Sequence, residues 1–176
     1  MSGSPYISSE DSALLRRALE GRTGAACLEI GAGNGGTLAA LSKRYGTAVG
    51  TDLVAPDMKD WSDAADFVLA DRASCFRDGF FDLVTFNPPY LAGKGAGDLA
   101  VDGGEALEAP RSFLSEALRT VKDDGAVVFL LNHEAIVSDY QDMCRRRGFA
   151  MSLVISERGF FEELSVYEAS RPGLRD

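Results

Sequence analysis

The feature that most limits what this chain can fold into is a glycine-rich turn between an apolar run and a helical segment. The apolar run covers residues 25–30, the turn covers residues 31–36 with four glycines, and helically spaced leucines follow over residues 37–45. Glycines at such a place allow a tight turn and let the backbone come close to a ligand. The feature therefore predicts a strand, a ligand-binding turn and a helix, which together open a parallel sheet.

The same alternation of strand and helix signals continues along the chain. Apolar runs predict further strands at residues 48–51, 67–70, 81–86, 126–131, 149–156 and 164–169. Helical spacing predicts one helix after the capping residues 8–11 and others at 111–121 and 134–147, while the glycine-rich residues 91–109 predict a long loop. The last two strands are joined too closely for parallel pairing, so the sequence predicts a seven-stranded, mostly parallel α/β sheet that ends in an antiparallel hairpin.

Length and composition exclude several classes of protein. The 176 residues fit one domain, residues 1–176, and the 18 basic and 27 acidic residues give a net charge of −9. That charge argues against strong non-specific binding of nucleic acid. Three cysteines without a CxxC pair and a single histidine predict no metal site. The first residues carry no secretory signal, and no run reaches the roughly 18 apolar residues of a membrane span, so we expect a cytoplasmic protein.

An acidic residue, Glu29, comes two positions before Gly31, the first glycine of the turn. A carboxylate beneath the turn would repel a pyrophosphate but suits the cationic amino-acid end of a ligand, and S-adenosylmethionine carries both an ammonium and a sulfonium. The turn therefore predicts a site for S-adenosylmethionine. A glycine turn alone also fits NAD and flavin proteins, or a turn with no ligand.

Two aspartates follow the next predicted strands. Asp52 ends the second strand, where a carboxylate can accept hydrogen bonds from both hydroxyls of a ribose. Asp71, flanked by Arg72, follows the third strand and can accept from the amino group of an adenine. The alternatives are a helix cap for the segment after Pro56 and an ordinary loop aspartate.

The tetrapeptide Asn87-Pro88-Pro89-Tyr90 follows the fourth predicted strand and indicates the chemistry. Two prolines cannot continue a central strand, so the chain leaves the sheet there. A planar amide nitrogen is a poor nucleophile because its lone pair is delocalised. The Asn87 side-chain oxygen and the Pro88 carbonyl can hold its two hydrogens and orient the nitrogen, and Tyr90 supplies a flat wall.

This tetrapeptide resembles the [Asn/Asp]-Pro-Pro-[Tyr/Phe] motif of S-adenosylmethionine methyltransferases that act on planar nitrogens. Within them the chain is similar to the HemK-like protein glutamine methyltransferases, in their short archaeal and eukaryotic branch, which lacks an N-terminal helical domain. The likeness spans roughly residues 5–168 and is carried by four further stretches: residues 5–12, 87–91, 101–104 and 159–166. Within the stretch of residues 5–12 the chain departs from the family's pattern at Ser12, which stands where threonine is usual.

The resemblance implies the class I methyltransferase fold, with a Rossmann-like core over residues 25–170 and, over residues 1–24, an N-terminal cofactor-closing segment and a helix. The seven-strand count also suits this fold better than a six-stranded dinucleotide fold. The resemblance further implies that Asn87, Pro88, Pro89 and Tyr90 are catalytic. The residues expected to bind S-adenosylmethionine are Asp11, Ser12, Glu29, Gly31, Gly33, Gly35, Asp52, Leu53, Asp71, Arg72 and Asn87.

The implied substrate is the Gly-Gly-Gln glutamine of a class I translation release factor, and the implied partner is a small zinc-ribbon activator protein. The third strand, expected at the edge of the sheet, and the following residues 74–76 would offer that partner apolar surface. A helix of the same chain covering this edge is the alternative.

Three other functions stay open on the sequence. A DNA or RNA adenine-N6 methyltransferase uses the same tetrapeptide but needs a surface for nucleic acid. A non-catalytic, cofactor-binding scaffold subunit would have no use for the acceptors of Asn87 and Pro88. A nicotinamide dehydrogenase would have no role for the tetrapeptide.

Overall fold

A computed structural model describes residues 9–58, 61, 63–89, 108–131, 134–158 and 163–173. The described residues form four helices: α1 (Ser9–Ala18), α2 (Gly36–Leu41), α3 (Glu108–Thr120) and α4 (Glu134–Arg146). They also form seven strands: β1 (Gly24–Ile30), β2 (Tyr45–Asp52), β3 (Asp66–Leu69), β4 (Phe81–Phe86), β5 (Val121–Leu131), β6 (Ala150–Arg158) and β7 (Glu163–Ser170).

The strands form one sheet in the order β3-β2-β1-β4-β5-β7-β6. The first five in this order run parallel, and β7 pairs antiparallel with both β5 and β6. The predicted seven-stranded sheet with its terminal antiparallel hairpin is therefore confirmed. The predicted edge position of the third strand is confirmed as well.

Two hydrophobic clusters, one on each face of the sheet, hold the layers together. On one face α1 and α2 bury leucines against residues of β1, β4 and β5. On the other face α3 and α4 pack on the remaining side chains of the same strands, with Phe86 stacked on Phe129 at a centroid distance of 5.3 Å. Side chains alternate between the faces along each strand, so neighbouring residues enter different clusters.

Several helices and strands differ in extent from the prediction. The helix predicted over 37–45 ends at Leu41, because Tyr45 is buried and begins β2. The helix predicted over 111–121 covers Glu108–Thr120 instead.

The strand predicted to begin at residue 126 begins at Val121, five residues earlier. Its first part contains Lys122, whose ammonium pairs with Asp82 of β4 at 2.5 Å, followed by exposed acidic residues. The pairing of β4 with β5 is irregular between Phe81 and Leu83. The first residues of β5 are charged and pair irregularly with β4, so they form no apolar run. The sequence pattern therefore does not predict this part of the strand.

Candidate active site

The predicted site residues follow the carboxyl ends of neighbouring parallel strands. Ile30 of β1 lies opposite Phe86 of β4, and Asp52 of β2 lies opposite Leu69 of β3, so these strands end at one edge of the sheet. In open α/β sheets this edge is where ligands bind. The predicted residues that the fold gathers here are Glu29, Gly31, Gly33, Gly35, Asp52, Leu53, Asp71, Arg72, Asn87, Pro88 and Pro89.

The turn after β1 is built on three glycines in the left-handed conformation. The φ angles are 72° at Gly31, 52° at Gly33 and 74° at Gly35. The turn is fastened to β2, because the Gly33 N–H donates to Oδ2 of Asp52 at 3.0 Å. A side chain at these positions would be strained, so the glycines are explained by the backbone path.

Trp61 packs against this turn from outside and was not identified from the sequence. A Cβ atom at Gly35 would lie 2.8 Å from the Trp61 ring, and one at Gly50 would lie equally close to it. The indole is buried, donates to the Ala65 carbonyl at 2.8 Å and contacts Phe67 edge-on. The space beside Gly35 is therefore filled by the protein itself, and binding of the cofactor by Gly35 stays a prediction.

Glu29 is a buried carboxyl beneath the turn, with only 6% of its surface exposed. It accepts hydrogen bonds from the Thr37 side chain and the Leu38 backbone N–H, and its Oε2 atom has no partner among the described residues. Burial raises the pKa of Glu29 to about 8, although the two hydrogen bonds and the charge of Arg16 each act to lower it. At neutral pH the carboxyl is therefore mostly protonated, and a cation placed beside it would favour its ionised form.

Asp52 has each carboxylate oxygen engaged by the backbone. Besides the bond from Gly33, the Val54 N–H donates to Oδ1 at 3.2 Å. An ionised carboxylate offers about four acceptor positions, so two stay available to a ligand. The described residues after Pro56 begin no helix, which removes the alternative of a helix cap there.

Asp71 and Arg72 form an ion pair at the end of β3. Arg72 Nη1 donates to Asp71 Oδ1 at 2.7 Å, and the guanidinium lies 5.8 Å from the centroid of the Phe113 ring. Arg72 has a φ of 51°, which is uncommon for a residue with a side chain and is found where surrounding contacts impose it.

Arg119 of α3 supplies such contacts and was not singled out from the sequence. Its guanidinium donates to the carbonyls of Ala73 at 2.9 Å and Phe76 at 2.8 Å, and it pairs with Glu116 and Asp78. These bonds fasten the segment after β3 to α3. The segment directly after Arg72 is therefore held by a helix some 40 residues later in the chain.

The tetrapeptide begins one residue beyond β4. Pro88 is buried, Asn87 and Pro89 are half-buried, and Asn87 Oδ1 is buried without a hydrogen-bond partner among the described residues. An amide oxygen in that state is an acceptor available to a bound group. Tyr90, and the predicted loop up to residue 107, lie outside the described residues.

Asp11 and Ser12 lie near the start of α1, and both are half-buried. Their role in binding a cofactor stays a prediction. Within the described ranges, no three potential metal ligands come together. None of the described helices is both long and apolar enough to span a bilayer.

Comparison with solved structures identifies the fold as that of class I S-adenosylmethionine methyltransferases. The Mtq2-Trm112 complex of E. cuniculi, responsible for methylation of the translation termination factor eRF1, matches with a TM-score of 0.78 at 24% identity, over 94% of this chain and 98% of that one. The 1,6-didemethyltoxoflavin-N1-methyltransferase of Burkholderia thailandensis, with S-adenosylhomocysteine bound, matches with a TM-score of 0.59 at 17% identity, over 93% of this chain and 77% of that one.

A putative RNA methyltransferase of Pyrococcus horikoshii matches with a TM-score of 0.60 at 18% identity, over 93% of this chain and 82% of that one. At the level of sequence, neither a family model nor a curated protein matches. The comparisons thus define the fold alone.

Proposed function

We propose that this protein transfers a methyl group from S-adenosylmethionine to the side-chain amide nitrogen of a protein glutamine. The observation that carries the proposal is the position of Asn87-Pro88-Pro89 directly after β4, with the Asn87 oxygen buried and free to accept. An amide NH₂ group has two donors, and this segment offers a side-chain acceptor and a backbone acceptor on consecutive residues.

The residues at the carboxyl edge fit the cofactor. The unpartnered Oε2 atom of Glu29 suits the ammonium of its methionine end, and the remaining acceptor positions of Asp52 suit two ribose hydroxyls. Asp71 and Arg72 lie after the next strand, where the adenine is expected, with Leu53 beside them as an apolar contact. When bound, S-adenosylmethionine supplies an electrophilic methyl group.

The chain's own contribution to transfer is to hold the amide. Asn87 Oδ1 and the Pro88 carbonyl each accept one N–H, which directs the nitrogen lone pair toward the methyl carbon. The contact of Tyr90 with the amide plane is part of the proposal, carried over from the resemblance of the tetrapeptide. Prolines hold these acceptors in place before the substrate arrives, so little reorganisation is needed. No general base is required, because the nitrogen becomes acidic once it carries the methyl group.

The Gly-Gly-Gln glutamine of a class I translation release factor is the substrate that we propose. The support is the resemblance of the sequence to the HemK-like enzymes and the structural likeness to Mtq2, whose complex methylates eRF1. Residues 5–12, with Asp11 and Ser12, would close over the cofactor, while the later part of α1 packs in the core. The cytoplasm, where translation takes place, is the compartment that this substrate implies.

The β3 edge, defined here as Leu69 together with Val54 and Met58 of the loop between β2 and β3, is the surface that we propose for a partner. All three are exposed apolar side chains, and Leu69 is 63% exposed. Residues 74–76, by contrast, add little, because Phe76 packs on Phe81 in the core. A small zinc-ribbon activator protein is the proposed occupant, and the solved Mtq2 neighbour is likewise a complex, with Trm112.

Mass spectrometry of a release factor incubated with the protein, its partner and S-adenosylmethionine tests the substrate. A gain of one methyl group on the Gly-Gly-Gln glutamine is expected, and a release factor with that glutamine changed to alanine should gain none. A single-stranded adenine-containing oligonucleotide is incubated in parallel. Transfer to the oligonucleotide alone would contradict the proposal in favour of nucleic-acid methylation.

Substitution Asn87→Ala is expected to lower the rate of transfer by about 10²–10³, the usual effect of losing one positioned hydrogen-bonding group. Affinity for S-adenosylmethionine, measured by calorimetry, should change only a few-fold. Asn87→Asp keeps a side-chain acceptor and should retain more activity than Asn87→Ala. An equal loss of cofactor affinity and rate in Asn87→Ala would mean that Asn87 supports the fold or the cofactor instead.

A further inference from the structure

Thr85 is a second buried polar residue beside Glu29, and the mechanism above does not use it. In the register of the central strands, Glu29 of β1 lies directly opposite Thr85 of β4, so their side chains lie on the same face of the sheet. Thr85 is completely buried, and its hydroxyl oxygen, like Glu29 Oε2, has no hydrogen-bond partner among the described residues. The next unpartnered oxygen along this segment is that of Asn87, two residues later.

Buried polar groups without a hydrogen-bond partner lower the stability of the folded protein, so their presence calls for a physical explanation. A buried polar group without a partner costs about 1–3 kcal/mol, and native proteins contain few of them. Most other buried polar side chains of the described chain are paired: Thr120 donates to the Glu116 carbonyl, and Glu168 accepts from Arg22. Thr51 is the exception, and it lies on the other face of the sheet. Two unpartnered groups on adjacent strands, beneath one ligand-binding turn, indicate that the working state of the protein provides the missing bonds.

We infer that Thr85 is a positioning residue, whose hydroxyl donates to the Glu29 carboxylate when a bound ammonium group draws that carboxyl into its ionised form. This inference rests on the proposed function, because S-adenosylmethionine supplies the ammonium. On binding, the proton of the Glu29 carboxyl leaves to solvent. The carboxylate then accepts from Thr37, Leu38 and Thr85 and faces the ligand cation, so none of these groups stays unpaired.

The electrostatic surroundings of Glu29 agree with this assignment. The raised pKa of Glu29, caused mainly by burial, means that ionisation needs compensation from new contacts. Arg16 of α1 favours the ionised form, Asp52 of β2 opposes it, and the buried thiol of Cys27 lies on the same face of β1. One cation from the ligand and one hydroxyl donor from β4 supply the compensation.

Calorimetric titration of S-adenosylmethionine into the protein, in two buffers of different ionisation enthalpy, tests the inference. The wild-type protein is expected to release close to one proton on binding at pH 7 and fewer above pH 8. Thr85→Val removes the hydroxyl with little change in shape. It should weaken binding at pH 7 roughly tenfold or more, as loss of a hydrogen bond to a charged group does, and move the pH dependence of affinity upward.

Thr51→Val is the matched control. Thr51 is also fully buried with an unpartnered hydroxyl, but it lies opposite Ile30, on the other face of the sheet. Its removal should leave affinity and proton release unchanged, and Thr85→Ser should restore both. In the Glu29→Gln background, Thr85→Val should have no further effect on affinity.

The outcomes separate the inference from the function on which it rests. If the wild-type protein binds with proton release but Thr85→Val behaves like Thr51→Val at every pH, the role of Thr85 is overturned and the proposed function stands. If the wild-type protein does not bind S-adenosylmethionine, both are overturned. Unfolding measured without ligand shows that Thr85→Val is folded, since loss of an unpartnered buried hydroxyl should not destabilise it.

Discussion

At the scale of single residues, Glu29 shows how a binding group is kept ready at a cost in stability. Its carboxyl is buried and prefers to be neutral, although the unfolded chain would ionise it at neutral pH. The folded protein therefore gives up part of its stability to hold a group that a cation can ionise. Stability and ligand binding should consequently respond to pH in opposite directions around this residue.

Substitution Glu29→Gln is expected to remove one component of the pH dependence of stability. The pKa of Glu29 is about 8 in the folded protein and near 4.5 in the unfolded chain, so its favourable contribution is complete below pH 4.5 and lost as the pH rises to 8. The wild-type free energy of unfolding should fall relative to Glu29→Gln by on the order of 1 kcal/mol per pH unit in that window. Urea unfolding at several pH values measures it, and parallel curves for the two proteins would contradict the assignment.

Residues with a local signal could be predicted from the sequence, and residues defined by distant contacts could not. Asp52 and Asn87 follow apolar runs directly, so their place at the sheet edge could be read from the chain. Trp61 and Arg119 have no such signal. Trp61 is a site residue only because Gly35 and Gly50 leave space for its ring, and Arg119 only because α3 packs beside the segment after β3.

At the scale of elements, the turn after β1 is held by neighbours on both sides. Asp52 binds it from β2, Trp61 covers it at Gly35, and the Phe113 ring of α3 approaches Gly31, where a Cβ atom would lie 3.2 Å away. The turn is thus shaped before any ligand arrives. Preorganisation of this kind lowers the cost of ordering a loop on binding.

Substitution Gly35→Ala is expected to destabilise the protein more than Gly21→Ala. Both glycines have nearly the same φ, 74° and 75°, but a Cβ atom at Gly21 meets nothing within 4 Å whereas at Gly35 it meets the Trp61 ring at 2.8 Å. The shared backbone strain cancels in the comparison, and overpacking should add about 1–3 kcal/mol at Gly35. Denaturant unfolding of both variants measures the difference, and equal losses would mean that Trp61 moves aside freely.

The extents of elements were predictable where apolar runs and caps are strong. β4 covers the predicted residues 81–86. The start of β5 was missed because Lys122 and the acidic residues after it extend the strand beyond the apolar core. Strand pairing, which decides such an end, is a long-range property that a local pattern does not contain.

At the scale of the whole molecule, the sheet has two edges of different character. β3 is short, with four residues, and has exposed apolar side chains around it. β6 is longer, and its pairing with β7 is irregular between Leu153 and Ile155, a feature that natural proteins use to protect an edge. β6 also exposes Leu153 and Val154, but its irregular pairing disfavours a partner, which is why we propose the β3 edge for one.

Substitution Leu69→Glu is expected to weaken binding of the zinc-ribbon partner roughly tenfold or more and to reduce self-association of the isolated chain. Leu153→Glu on β6 is the matched control, since Leu153 is similarly exposed at 55% against 63% for Leu69. Co-purification and light scattering measure the two effects. Equal binding by both variants, or a wild-type chain that is monodisperse and fully active alone, would contradict a partner at the β3 edge.

The contact of α1 with the last strands bears on how the chain reaches this structure during synthesis. α1 packs on β6 and β7, Arg17 pairs with Glu157, and Arg22 pairs with Glu168. α1 also packs on α2 and β5, but a nascent chain emerges from its first residue onward, so the contacts of α1 with β6 and β7 form only when nearly all of the described chain has left the ribosome. Part of the apolar face of α1 is uncovered until then, and the final hairpin completes the core.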